Sequence, residues 1–321
     1  MKKIRFHFLD IPIIRSCNLG CVGCMTFSDH KNIKGLVNLE ESLDWLKFWA
    51  SKLHPTIINI FGGEPLLHPH FVEWVTEVKK IWGSGSEVGV NTNGYYLHLL
   101  FDRVHELFQP GNMQSIIVNI QTNTEPYLLK VEENIQILKQ KIIDYYLSMP
   151  DVKTAEWYLW LDESETVHKQ WFTLVVNGEG TGIGFTVCEM YKLYWASHYN
   201  GSGPTVVPNY DYNDQWYGEN HGHCQAKEYV TLYRGSLYKC PPVGVLEHTL
   251  GTFNLKESSE WKPYMDNYKS LPAFSSDEEI SRWMEVQKTP ELVCNMCSFS
   301  GPNRKNVDRS HLLKPNWKYT L

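Results

Sequence analysis

The sequence has no extended run of basic residues, and its acidic side chains outnumber its basic ones. Asp and Glu total 36 against 30 Lys and Arg, which gives a formal net charge of −6 at pH 7. Binding to nucleic acid through the phosphate backbone requires a positively charged surface. A nucleic acid partner is therefore not expected.

Long apolar stretches are also missing. No segment approaches the length of a membrane-spanning helix. Charges interrupt the start of the chain, and no apolar core or cleavage site of a signal peptide follows them. These absences predict a cytoplasmic protein without a membrane partner. The sequence shows no internal repeat, and its least core-like stretch, residues 200–223, is the candidate domain boundary.

The 321 residues are 42% hydrophobic, enough for one large α/β domain and a smaller one. In a cytoplasmic chain, eight cysteines are better explained as metal ligands than as disulfides. They fall into groups: Cys17, Cys21 and Cys24; Cys188; Cys224 and Cys240; Cys294 and Cys297.

Strand-like and helix-like segments alternate through the first half of the chain. Apolar periodicity predicts helices at 39–53, 70–82, 96–108 and 125–147, and strands at 11–16, 56–61, 87–92, 115–121, 155–161 and 171–177. Alternation of this kind predicts parallel βα units. In such sheets the functional loops follow the carboxyl ends of the strands.

Four polar segments stand at those strand ends. The cysteine triplet follows the first strand, Gly62-Gly63-Glu64-Pro65 follows the second, Asn91 and Asn93 end the third, and Asn119 ends the fourth. They are expected to build one pocket. The alternatives are an ordinary strand-to-helix turn for residues 62–65 and simple strand-end capping for the asparagines.

The C-x3-C-x2-C spacing of residues 17–24 suits an iron–sulfur cube with one iron left open to a reactant. A zinc knuckle, or a distant fourth ligand, is the alternative. Together with Gly-Gly-Glu-Pro after the next strand, the triplet resembles the radical S-adenosylmethionine (SAM) superfamily. The resemblance, over about residues 11–190, implies a partial (β/α)6 TIM-like barrel.

The resemblance also implies a chemistry. Cys17, Cys21 and Cys24 would hold a 4Fe–4S cluster whose open iron binds SAM. Reductive cleavage of SAM would then give a 5′-deoxyadenosyl radical that takes hydrogen from a substrate. An electron donor such as flavodoxin or ferredoxin is an expected partner.

Further residues of the resemblance would contact SAM. Gly62 and Gly63 would let the backbone approach SAM, Glu64 would accept a hydrogen bond from the SAM ammonium, and Pro65 would fix the turn. Asn91, Asn93 and Asn119 would bind the SAM ribose or carboxylate. The family often has an aromatic residue at the position of Gly23, so Phe27 or a residue of a later strand is expected to cover adenine.

The later cysteines follow the pattern C-x10-G-x4-C and then C-x2-C. This pattern resembles the twitch domain, a half-length relative of the SPASM domain, and implies a second 4Fe–4S cluster on Cys224, Cys240, Cys294 and Cys297. A zinc ribbon is the alternative. Alternating apolar residues predict a β-hairpin over 229–239, around Arg234-Gly235. The predicted domains are 1–205, the barrel, and 206–321, a small α+β domain.

Several residues near these motifs have weaker assignments. Cys188 is expected to be a small buried residue, with a hydrogen-donor role as the alternative, and Glu189 would face the opposite side of the strand. His221 and His223 are expected at a linker or pocket rim rather than as ligands. Four aromatic residues are expected to pack between domains or to cover the pocket: Tyr210, Tyr212, Trp216 and Tyr217.

The predicted function is radical SAM chemistry. A dehydrogenation of a small polar or sugar-like molecule suits a fully ligated auxiliary cluster, which could accept an electron from a substrate radical. Modification of a peptide or protein is the alternative. A zinc-binding interaction protein without catalysis is the alternative from another class.

Overall fold

A computed structural model describes residues 2–30, 33–161, 169–190, 197–224 and 228–300. The last part of the second predicted domain, residues 301–321, lies outside them. The strands are β1 Ile4–Ile14, β2 Leu53–Gly62, β3 Glu87–Thr92, β4 Ser115–Asn119, β5 Ala155–Leu161, β6 Lys169–Val176, β7 Glu179–Cys188, β8 Tyr229–Tyr233 and β9 Ser236–Tyr238. The helices are α1 Leu39–Lys52, α2 Phe71–Trp82, α3 Val104–Leu107, α4 Glu125–Leu147, α5 Tyr217–His223, α6 Pro241–Thr252, α7 Lys262–Asn267 and α8 Asp277–Gln287.

The described strands form one nine-stranded sheet in the order β5-β6-β7-β4-β3-β2-β1-β8-β9. From β7 to β8 all neighbours are parallel. β5, β6 and β9 are antiparallel additions at the two edges. The predicted α/β fold class is confirmed, and the parallel segment is the expected partial barrel.

The two faces of the sheet differ. Val88, Val90, Ile116 and Val118 are fully buried, as expected for strands covered by helices. The Trp157 indole N–H donates to the carbonyl of Lys139, which places α4 against this outer face. Side chains at alternate positions, such as Asn91 and Asn119, lie on the opposite face and are only partly buried. We call that opposite side the inner face.

Three regions differ from the sequence prediction. β1 starts at Ile4, where apolar residues alternate with charged ones, and not at residue 11. The helix predicted at 96–108 is a 3₁₀ turn, Leu97–Leu100, followed by α3. β5 and β6 form an antiparallel insertion between α4 and β7, because apolar periodicity identifies a strand without fixing the direction of its neighbour.

The predicted hairpin near Arg234-Gly235 is confirmed. Arg234 and Gly235 both have positive φ, 48° and 85°, as a two-residue hairpin turn requires. Its first strand, β8, pairs in parallel with β1, so the second half of the chain completes the main sheet. The division at residues 205/206 stays a prediction.

Candidate active site

The cysteine triplet lies in the loop that follows β1. Cys24 N–H donates to the Cys21 carbonyl at 3.1 Å, which closes a turn. The Cys17 sulfur accepts N–H groups from Leu19 at 3.4 Å and from the Asn93 side chain at 3.8 Å. The Thr26 hydroxyl lies 3.3 Å from the Cys24 sulfur. Such contacts stabilise thiolates that bind iron, so the donor set fits an iron–sulfur cluster.

Backbone hydrogen bonds join the Gly62-Gly63 segment to the start of this loop. Gly63 N–H donates to the Ile14 carbonyl at 2.8 Å, and Glu64 N–H donates to the Ser16 carbonyl at 2.9 Å. A Cβ atom at Gly62 would lie 2.2 Å from the Ile14 oxygen, and one at Gly63 would lie 2.1 Å from the Ser16 oxygen. The neighbouring backbone therefore requires glycine at both positions. The expected approach of this backbone to SAM stays a prediction.

Glu64 joins the second loop to the third. Its fully buried carboxylate accepts hydrogen bonds from Leu66 N–H at 3.1 Å, the Thr92 hydroxyl at 2.7 Å and Asn93 N–H at 2.8 Å. Burial raises the pKa of Glu64 to about 7, and these three bonds oppose the rise. Both carboxylate oxygens accept hydrogen bonds from the protein, so this side chain connects the second loop to the third. Pro65 begins the 3₁₀ turn that follows.

The three asparagines occupy different environments. Asn93 is buried, with its amide donating to Asn18 at 2.8 Å, and the Tyr127 hydroxyl donates to its carbonyl. Asn91 and Asn119 are partly exposed at the ends of β3 and β4, on the inner face. Of the three, Asn91 and Asn119 therefore keep part of their side chains accessible on the inner face.

Gly23 and Phe27 show how this loop departs from the family pattern. Gly23 has φ +70°, and a Cβ atom there would lie 3.2 Å from the Ser197 Cα. Phe27 is fully buried, and its ring stacks on Tyr199 with 4.4 Å between centroids. Phe27 therefore packs inside the protein beneath the cysteine loop, against Tyr199, and is not placed to cover adenine.

Arg15, a residue that no sequence motif singles out, fixes the cysteine loop to α6. Its guanidinium is 1% exposed and donates to the Thr26 carbonyl at 2.7 Å, the Thr249 hydroxyl at 2.9 Å and the Val245 carbonyl at 3.1 Å. All three acceptors are neutral oxygens. The cation thus lies buried beside the loop.

The inner face carries an aromatic surface that periodicity alone did not predict. Strand register sets Ile117, Thr186, Trp171 and Trp160 in one row across β4, β7, β6 and β5. Tyr158 lies on the same side as Trp160, with 4.8 Å between their rings. Tyr158, Trp160 and Trp171 are 54%, 55% and 43% exposed. We call these three side chains the aromatic shelf.

Cys188 ends β7 opposite Asn119, so it shares the inner face with the shelf. It is 2% exposed, and its sulfur lies 3.4 Å from the Met190 sulfur. The expectation of a small buried residue is confirmed. Glu189 follows the strand end, so strand alternation does not determine its direction.

Asp10 is a second inner-face residue that sequence reasoning missed. It is buried beside Asn59, whose amide donates to its carboxylate at 3.0 Å. Burial raises the pKa of Asp10 to about 7, against the lowering effect of that bond. Thr231 of β8 pairs with Asp10, so the inner face is polar near its centre.

The four later cysteines line a single cavity with His221 and Lys239. Cys240 caps α6, and Cys294 and Cys297 flank a turn closed by the Cys297 N–H bond to the Cys294 carbonyl at 3.3 Å. Burial raises the pKa of Cys294 to about 11 and that of Cys297 well above its usual value, and the neighbouring thiols add to the rise. Four clustered thiols of this kind need a cationic centre to ionise together, so the donor set fits a metal cluster.

As the side chains stand, no group of three or more His, Cys, Asp or Glu residues in the described ranges could hold a metal ion. His221 is at the cavity and His223 is exposed. Tyr210 packs on Trp216, and Tyr212 packs on Tyr264 of α7, which favours the packing role expected for these aromatics.

Among the helices that the structure describes, none combines the length and apolar character of a membrane span. The segment that carries the cysteine loop and the residue 62–65 loop matches a known family model. Residues 11–144 match the model described as "Radical SAM superfamily".

Curated relatives include two GTP 3′,8-cyclases. The protein from Microcystis aeruginosa is 31% identical over 105 residues, 32% of this chain and 32% of that protein. The protein from Lactiplantibacillus plantarum is 25% identical over 162 residues, 42% of this chain and 47% of that protein. The matches thus span about a third to a half of the relatives' length.

Solved structures show a distant likeness. BtrN in complex with AdoMet and 2-DOIA aligns over 98% of this chain and 100% of that one, with 13% identity and a TM-score of 0.45. Native anSMEcpe with bound AdoMet aligns over 42% of this chain and 41% of that one, with 17% identity and a TM-score of 0.31. By the family match and the motifs that lie within it, residues 11–144 belong to the radical SAM superfamily.

Proposed function

We propose that this chain is a radical SAM enzyme in which Cys17, Cys21 and Cys24 hold the 4Fe–4S cluster that works with SAM. When bound, these cofactors supply a 5′-deoxyadenosyl radical that takes hydrogen from a substrate. The observation that carries the proposal is the pair of backbone hydrogen bonds between the cysteine loop and the Gly62–Pro65 loop at one end of the sheet. The match of residues 11–144 speaks against the non-catalytic zinc-binding alternative.

The surrounding residues divide into two roles. Gly62, Gly63, Glu64 and Asn93 hold three loops together, so they position the cofactor site from within. Asn91 and Asn119 present partly exposed amides on the inner face, where they would bind the polar groups of SAM. The auxiliary cluster is proposed on Cys224, Cys240, Cys294 and Cys297, with full cysteine ligation.

The aromatic shelf is the proposed substrate site. It lies on the same inner face as Asn91 and Asn119, near the carboxyl ends of the parallel strands. Exposed Trp and Tyr rings offer flat apolar surfaces, which suit the C–H face of a sugar ring. Dehydrogenation of a small polar or sugar-like substrate is therefore the first candidate reaction, with the auxiliary cluster as electron acceptor. GTP cyclisation is not proposed, because the aligned relatives match only in part.

Modification of a peptide is the second candidate, and strand β5 favours it. β5 forms one edge of the described sheet, and three consecutive residues along it, Tyr158, Leu159 and Trp160, are exposed. An extended peptide can add to such an edge through backbone hydrogen bonds. β5 contains no Lys or Pro that would hinder pairing with a further strand.

Anaerobic reconstitution tests the cofactor part. The wild type should bind about eight irons per chain, by counting four per cluster, and release 5′-deoxyadenosine after reduction with SAM. Cys17→Ala should abolish SAM cleavage, and Cys188→Ala is the matched control because it removes a thiol outside both sets. Equal SAM cleavage in wild type and Cys17→Ala would show that the triplet is not the catalytic ligand set.

The substrate part needs a separate measurement. Hydrogen transfer from deuterated sugars and from deuterated peptides into 5′-deoxyadenosine would identify the class that the enzyme accepts. Trp160→Ala and Trp171→Ala should then lower transfer at least tenfold while cleavage without substrate stays unchanged. Unaltered transfer in both variants would remove the shelf from the substrate site.

A further inference from the structure

A short segment, residues 197–199, contacts both cysteine sets. On one side, Ser197 lies against Gly23, the residue between Cys21 and Cys24. Tyr199 stacks on Phe27 and donates its hydroxyl hydrogen to Asp29. The segment is thus bound to the cysteine loop by packing and by a hydrogen bond.

On its other side the same segment forms hydrogen bonds with Ser298, which follows the Cys294–Cys297 turn. The Ser197 carbonyl accepts the Ser298 N–H at 2.9 Å and the Ser298 hydroxyl at 3.1 Å. Between these contacts, His198 Nδ1 lies 3.1 Å from the Cys297 sulfur. His198 and Cys297 are both buried, at 6% and 8% exposure, so water does not screen this contact.

The direction of this hydrogen bond follows from the chemistry of the ligand. A cysteine bound to iron is a thiolate and has no proton to give, so the hydrogen must come from the imidazole Nδ1. Hydrogen bonds to cluster sulfurs lower the electron density at the ligand and raise the reduction potential of the cluster. A raised potential favours electron transfer into the cluster.

We propose that His198 is a positioning residue that donates its Nδ1–H to Cys297 and thereby raises the reduction potential of the auxiliary cluster. The inference rests on the proposed auxiliary cluster at the four later cysteines. Because residues 197–199 also contact the catalytic cysteine loop, the same segment holds the tuned cluster at a fixed place relative to the site of SAM cleavage. The auxiliary cluster is then suited to accept the electron that a substrate radical must lose.

Potentiometric titration of the reconstituted holoenzyme, followed by electron paramagnetic resonance, tests this role. SAM changes the signal of the cluster that binds it, so the SAM-insensitive signal reports the auxiliary cluster. His198→Phe removes the donor, His198→Gln moves the side-chain amide one methylene farther, and His198→Asn places an amide N–H near the position of Nδ1. His223→Asn, an exposed histidine beside Cys224, is the matched control.

The expected result is a more negative midpoint of the SAM-insensitive cluster in His198→Phe and His198→Gln, with recovery towards wild type in His198→Asn. The SAM-sensitive midpoint should not move. An unchanged midpoint in His198→Gln, with about eight irons retained, would overturn the role of His198. If the wild type binds only about four irons, the auxiliary cluster itself is absent and the proposal fails at that earlier step.

Discussion

Replacing Gly63 by Ala tests whether the close approach of two backbones builds the catalytic end of the sheet. A Cβ atom at this position would lie 2.1 Å from the Ser16 oxygen and 2.9 Å from the Arg15 oxygen. A carbon and an oxygen need roughly 3 Å or more, so the two loops would have to separate by about 1 Å. Both obstacles are backbone atoms, which cannot rotate away as a side chain could.

That separation would break two hydrogen bonds. Gly63 N–H loses the Ile14 carbonyl at 2.8 Å, and Glu64 N–H loses the Ser16 carbonyl at 2.9 Å. Each buried bond left unmade costs about 1–3 kcal/mol, so we expect the free energy of unfolding to fall by about 2–6 kcal/mol. Gly180→Ala is the control, because nothing lies within 4 Å of its Cβ position. It should change stability by about 0.5 kcal/mol or less.

Urea unfolding of the iron-free chain, followed by circular dichroism, measures both variants. Iron content after anaerobic reconstitution provides a second readout, since displacement of Ser16 moves the chain beside Cys17. Gly63→Ala should therefore lose iron from the catalytic set as well as stability. If it unfolds like Gly180→Ala and loads iron fully, the contact between the loops is not the constraint that we describe.

Two further predictions concern buried charges. The folded pKa of Asp10, about 7, exceeds its ordinary 3.8, so its ionisation opposes folding and stability is lost as pH rises through that range. Relative to wild type, Asp10→Asn should gain about 2–3 kcal/mol of unfolding free energy between pH 5 and pH 8, and a pH-independent difference would contradict the assignment. Arg15→Met should lower stability by about 3–5 kcal/mol, because the Thr26, Thr249 and Val245 oxygens each lose a buried hydrogen bond from the guanidinium. Urea unfolding at pH 5 and pH 8 measures both variants. An Arg15→Met variant as stable as wild type would show that those acceptors find other partners.

The sequence predicted best where the pattern is long and local. The helix expected at 125–147 and the strand expected at 87–92 have those bounds in the structure. The start of β1 was missed, although Ile4, Phe6 and Phe8 alternate there with polar residues. The charged side chains of this stretch are typical of a chain terminus, whereas β1 lies inside the sheet between β2 and β8.

What sequence could not give is the contact between distant segments. Apolar periodicity does not say that β5 and β6 run antiparallel, so it could not set Trp160 opposite Trp171 on the inner face. His198 likewise stands in a segment with no motif, 99 residues before the cysteine that it contacts. The cysteine spacings were readable because they are local, whereas the side chains around them come from the fold.

Gly23 connects the two parts of this molecule. In the pattern that the sequence resembles, an aromatic residue often precedes the third cysteine, and here Ser197 occupies the space that any side chain at this position would need. The positive φ of Gly23 adds a second reason for glycine, since a residue with a Cβ is strained there. Gly23 therefore lies against the segment that carries His198. The glycine at position 23 and the proposed hydrogen bond from His198 to Cys297 thus both involve residues 197–199, which pass between the two cysteine sets.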